Sequence, residues 1–108
     1  MAVEVGKDNY ETEVLKSEMP VLVDFWGPQC HRCLALMPAV DGLAEKYAGR
    51  IKLAKLNAAA GNRMLCARLK VLGLPAFLFY KGGVEVKRLA GEQVTANEIE
   101  ESIQQLIS

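Results

Sequence analysis

The chain has 108 residues, 51% of them hydrophobic and 24% charged, and its 13 Lys and Arg balance 13 Asp and Glu. One domain over residues 1–108 fits that length, with enough chain to bury a core without the metals or disulfides that chains below ~40 residues need. A formal net charge of zero excludes a whole-molecule field for nucleic acid, the longest apolar stretch (residues 71–80, broken by Gly73 and Pro75) is too short to span a membrane, and 3 cysteines are too few and of the wrong parity for a disulfide scaffold.

The first residues carry Glu4 and Lys7 and lack the apolar run of a signal peptide, so we expect a cytoplasmic chain. Val3 and Val5 suggest a short first strand. Asp8 then reads as an N-cap, with Glu11 three residues on and Tyr10, Val14 and Leu15 as the apolar stripe of a helix that Pro20 closes. Residues 21–26 are almost continuously apolar, as a strand covered on both faces would be. A second helix is expected over residues 30–48, buried through Leu36, Val40, Leu43 and Tyr47, kinked by Pro38 and stopped by Gly49 at C′. Residues 51–57 read as a third strand and 62–70 as a short helix. Residues 76–81 and 84–90 are strands separated by Gly82-Gly83, the turn chemistry of a hairpin. Thr95 and Glu98 carry a capping-box signature for a last helix whose Ile99, Ile103, Leu106 and Ile107 face inward. The order βαβαβαββα predicts an α/β fold, a central mixed sheet of five strands flanked by four helices.

The sharpest chemical feature is Cys30-His31-Arg32-Cys33, between a buried strand and a helix. With Cys30 starting the helix, Cys33 lies one turn on, on the same face, and the two sulfurs can meet. Free backbone N–H groups and the positive end of the helix favour a Cys30 thiolate, the attacking species in disulfide exchange, and Cys33 would resolve the mixed disulfide. The competing reading is half of a structural zinc site, or a cluster held between two chains. Zinc wants four ligands, and only His31 and Cys66 remain as candidates, His31 being poorly aimed between its two neighbours. We expect no metal and no cofactor beyond the cysteine pair.

Around that pair the chain reads Pro20-Val21-Leu22-Val23-Asp24-Phe25-Trp26, then Pro38 five residues past Cys33, Lys55-Leu56-Asn57, Gly73-Leu74-Pro75, Lys81-Gly82-Gly83 and Gly91. In these motifs, in this order, the sequence resembles the thioredoxin family over essentially its whole length. The resemblance implies the thioredoxin fold and a thiol–disulfide oxidoreductase, with protein disulfides as substrates and a thioredoxin-reductase-like electron donor, and no nucleic-acid or membrane partner. It implies a cis Pro75 facing the disulfide, with the backbone of Leu74 pairing with a bound substrate strand and Gly91 and Trp26 beside it. Core filler is the plainer account of Trp26. Asp24 matches the carboxylate that relays a proton to the resolving cysteine. Its place within an apolar run independently points to a desolvated acid of raised pKa, against the alternative of an inert aspartate at a strand end. Lys55 matches the lysine neighbouring that carboxylate.

The departures are as informative. The family typically reads Trp-Cys-Gly-Pro-Cys-Lys, whereas this chain reads Gln29-Cys30-His31-Arg32-Cys33-Leu34. Gln29 removes an apolar docking surface. His31 and Arg32 put one titratable and one permanent cation beside the Cys30 sulfur, which would stabilise its thiolate and make the pair less reducing than ordinary thioredoxin. If both side chains point into water, screening leaves that shift small. Cys66, flanked by Met64, Leu65 and Leu69, reads as a small buried hydrophobe, with a regulatory or dimer-forming thiol as the alternative.

Overall fold

The computed structural model describes residues 2–108. Five strands, β1 (Ala2–Val5), β2 (Val21–Trp26), β3 (Lys52–Asn57), β4 (Ala76–Lys81) and β5 (Val84–Ala90), form one sheet in the order β1-β3-β2-β4-β5. The β1–β3 and β3–β2 pairs are parallel, and the β2–β4 and β4–β5 pairs antiparallel. Helices α1 (His31–Lys46), α2 (Arg63–Arg68) and α3 (Ala96–Ile107) and a single π-helical turn (Glu11–Leu15) complete the predicted order. The mixed sheet with its four helical segments is the thioredoxin fold.

Strand β2 is central and covered on both faces, which is why its sequence is apolar rather than alternating. Val21, Val23 and Phe25 point into a cluster with Tyr10, Val14, Leu65 and Cys66, under α2 and the π turn. Leu22 joins the opposite cluster, where Leu36, Val40 and Tyr47 of the first helical layer meet Ile99, Ile103 and Leu106 of α3. The Tyr47 hydroxyl locks the two helices by donating to Glu100 Oε2 at 2.7 Å and accepting from Gln104 Nε2 at 3.0 Å. The capping box at the start of α3 forms as expected, Glu98 N–H donating to Thr95 Oγ1 and Thr95 N–H to Glu98 Oε1.

Several boundaries differ from the sequence expectation. The first helix contracts to one turn closed by Lys16 N–H donating to Glu11 O at 2.9 Å, five residues back. Asp8 does not cap it. Asn9 organises the entry instead, accepting from Gly6 N–H at 2.8 Å and donating to Glu4 O at 3.0 Å. Leu15, at the end of so short a turn, is 40% exposed instead of buried. Helix α1 ends at Lys46, because Ala48 is already bridged to Ile51, and Gly49 (φ +85°) follows two residues after the Tyr47 C-cap. It runs uninterrupted through Pro38, whose missing N–H costs one hydrogen bond without breaking the helix. Helix α2 stops at Arg68 because Lys70 takes φ +60° and Arg88, reaching across from β5, donates to the carbonyls of Leu69 and Lys70 at 2.8 Å each.

Candidate active site

The turn from β2 into α1 is set by Cys30 N–H donating to Gly27 O at 3.0 Å. Cys30 is the N-cap, its backbone extended (φ −91°, ψ 98°), and its sulfur accepts from Cys33 N–H at 3.1 Å. A cysteine therefore occupies the position that Ser or Asp commonly fills, so the first-turn N–H points at sulfur. Cys33, one turn on, is bonded to Cys30 as a disulfide with a Cα–Cα distance of 5.3 Å. Cys30 is half-exposed and Cys33 buried. The pair can be opened only from the Cys30 side.

On β2, the strand that leads into this turn, Asp24 is 1% exposed and its Oδ1 has no hydrogen-bond partner among the described residues. Burial pushes this carboxyl up to about 7; the Lys55 ammonium pulls it back in part, and Asp41 adds a further upward push. Lys55 sits opposite Asp24 in the β2–β3 register, yet its Nζ pairs with Asp41 Oδ1 at 2.7 Å on α1. So the expected neighbour of Asp24 is present but holds a different carboxylate. Cys33 Sγ lies 4.0 Å from the carbonyl of Phe25, the residue that follows Asp24 in β2, and an acid that ionises near neutrality can act as a proton donor or acceptor at such a site.

Leu74-Pro75 is a cis bond, and Pro75 is buried. Gly91 (φ +106°) donates its N–H to Pro75 O at 3.0 Å, which brings these two sequence-distant residues together. The Leu74 main chain makes no hydrogen bond among the described residues, leaving its N–H and C=O open at the rim. A Cβ placed on Gly27 would lie 3.2 Å from Leu74 Cδ1, so the two walls of the site nearly touch there. Between them runs a groove of about 480 Å³, with Gly27, Pro28, Gln29 and Cys30 on one side and Ala58, Ala59, Arg63 and Leu74 on the other. Trp26 is half-buried, its Nε1 shielded and without a partner among the described residues.

The two residues of the C-x-x-C insert part company. His31 is exposed, while Arg32 is half-buried and donates from Nη2 to Val94 O at 2.6 Å, on the loop after Gly91. Arg32 does not point into water; it staples the start of α1 to the approach of α3. Cys66 is buried, and desolvation pushes its thiol up, so it stays protonated and unreactive at neutral pH. Among the described residues no three His, Cys, Asp or Glu side chains gather as a metal ion would require.

Three participants escaped the sequence reading. Asp41 lies on the helix face above Lys55. Asn62, buried, accepts from Lys7 N–H at 3.0 Å and donates to Asn57 O at 2.9 Å, tying the loops after β1 and β3 together. Arg63 reaches the groove beside Cys30. Only Asn62 left a trace in the sequence, as the residue that opens the expected short helix; the others depend on which chains cross.

Comparison with known proteins agrees with this geometry. The Thioredoxin family profile matches residues 1–105. A thioredoxin of Peptoclostridium acidaminophilum is 39% identical over 95% of this chain and 93% of its own length. One of Acetoanaerobium sticklandii is 38% identical over 96% and 98%, and thioredoxin 1 of a Nostoc species is 37% identical over 83% of each.

Proposed function

The chain belongs to the thioredoxin family and is a thiol–disulfide oxidoreductase, and from that premise we propose that it reduces protein disulfides through Cys30 and Cys33. In the reduced form the Cys30 thiolate attacks one sulfur of the substrate disulfide, forming a mixed disulfide and releasing one substrate thiolate. Cys33 gives its proton to the Asp24 carboxylate and attacks the Cys30 sulfur. The second substrate thiolate leaves, Cys30–Cys33 is now oxidised, and two electrons have passed to the substrate. The reaction asks for no bound cofactor. The observation that carries this reading is half-exposed Cys30 at the N-cap of α1, its sulfur bonded to buried Cys33 and accepting from Cys33 N–H.

An extended substrate segment would pair with the open Leu74 main chain next to cis Pro75, with Trp26 and Gly91 flanking it. A thioredoxin-reductase-like donor would restore the dithiol, and a reducing compartment such as the cytoplasm suits that cycle. The basic residues His31 and Arg32, with no acidic residue between Asp24 and Asp41, favour a pair less reducing than ordinary thioredoxin.

The test is twofold. Dithiothreitol-driven reduction of a disulfide-bonded protein should be accelerated by the wild type and lost in Cys30→Ser, while Cys33→Ser should accumulate the mixed disulfide. No acceleration by the wild type would end the oxidoreductase proposal. The potential of the pair, measured in a Cys66→Ser background against a defined thiol–disulfide buffer, should lie above about −270 mV, the reference value for thioredoxin. A value at or below it would leave the exchange reaction and remove the claim of weaker reducing power.

A further inference from the structure

We infer that Arg63 selects protein disulfides with an acidic side chain near the attacked cysteine, an inference that rests on the exchange reaction proposed above. Both walls of the groove beside Cys30 come from stretches without a single Asp or Glu, residues 25–40 and 46–84. Arg63 is the one charged side chain lining it. Lys46, Lys52, Lys55 and Arg88 pair with Glu100, Glu13, Asp41 and Glu85, and Arg32 with the Val94 carbonyl, while Arg68, Lys70 and Lys81, exposed and without an ion pair among the described residues, do not line the groove. Exposed Arg63 has no ion pair or side-chain hydrogen bond among the described residues. An unpaired guanidinium in an otherwise uncharged channel attracts a carboxylate and repels a cation.

The channel continues beyond it. A second groove of about 300 Å³ shares Ala58, Arg63 and Leu74 with the first and includes Leu72 in its lining. Leu72, in the lining of this second groove, is 90% exposed and offers an apolar contact to whatever lies there. An extended segment held at Leu74 with its disulfide over Cys30 would meet Arg63 and then Leu72. The occupant that fits is a partner segment with an acidic residue near its disulfide and an apolar residue farther out. An exposed ion pair of this kind contributes a preference of about two- to five-fold at low salt, fading as salt screens it.

Disulfide peptides that differ only in a Glu, Gln or Lys walked through the positions flanking the attacked cysteine test this directly. The readout is the rate constant for oxidation of the reduced protein. Because a neighbouring charge also alters the intrinsic reactivity of a disulfide, the deciding quantity is the Glu-to-Lys rate ratio compared among wild type, Arg63→Lys, Arg63→Gln and Arg63→Glu. At one or more positions the ratio should fall about two- to five-fold in Arg63→Gln, fall further in Arg63→Glu and be kept in Arg63→Lys. The wild-type ratio should also decline with added salt. The same ratio in all four proteins at every position overturns the inference and leaves the exchange reaction standing. If no peptide oxidises the wild-type protein, the reading beneath it fails and the inference with it.

Discussion

Replacing Asp24 by Asn removes a charge while keeping the shape, and so isolates the cost of burying that carboxyl. In the folded chain the group ionises at about 7, raised chiefly by burial and only partly offset by Lys55. In the unfolded chain it ionises near ~3.9. The native state therefore holds a proton that the unfolded state gives up between these two values. Stability is highest below the unfolded pKa, falls as pH rises toward 7, and levels off above it. At about 1.4 kcal/mol for each pH unit of that window, the wild type loses about 4 kcal/mol, a large part of the ~5–15 kcal/mol typical of a domain. Asp24→Asn lacks this slope. Urea unfolding of the two oxidised proteins at pH values from 4 to 9, followed by Trp26 fluorescence, should give a stability difference moving in favour of the variant by about 3–5 kcal/mol and flat above about pH 8. The unpartnered Oδ1 position offsets the whole curve without changing its shape. A difference independent of pH would refute the argument, since it would mean that the carboxyl ionises alike in both states.

Arg32→Gln removes the charged donor to Val94 O. About 1–2 kcal/mol should be lost, which lowers the thermal midpoint of a chain this size by several degrees; an unchanged midpoint would mean that the staple between α1 and the α3 approach is idle. Gly82 and Gly83 both take positive φ (+61° and +81°), but only at Gly83 would a Cβ meet backbone, 2.5 Å from Leu15 O. Gly82→Ala should cost about 1–2 kcal/mol in urea unfolding and Gly83→Ala about 2 kcal/mol more. Equal costs would show that the Glu11–Leu15 turn gives way freely.

What the sequence determined by itself was whatever depends on near neighbours. Period-2 and period-3.6 patterns, together with the continuous apolar run of β2, located the strands and the three α-helices, since a side chain's face follows from its spacing along one element. The same locality made the C-x-x-C legible: two residues one helical turn apart must share a face, whatever else the chain does. The Thr95–Glu98 box and the Gly82-Gly83 turn were readable for the same reason, their partners lying within three residues. Even Asp24 was legible as a buried acid, because its neighbours in β2 are apolar.

Tertiary structure decided what depends on contacts between distant segments. Lys55 faces Asp24 in the sheet but is claimed by Asp41 from the helix packed above. Arg32, read from sequence as a cation beside a sulfur, crosses 62 positions to Val94. Asn62 closes a loop with Lys7, 55 positions away. Arg63 has nothing in its sequence surroundings to mark it, and enters the groove only because α2 packs where β2 turns into α1. A side chain that several partners could satisfy is assigned by whichever one the folded backbone brings within reach, and that choice is made in three dimensions.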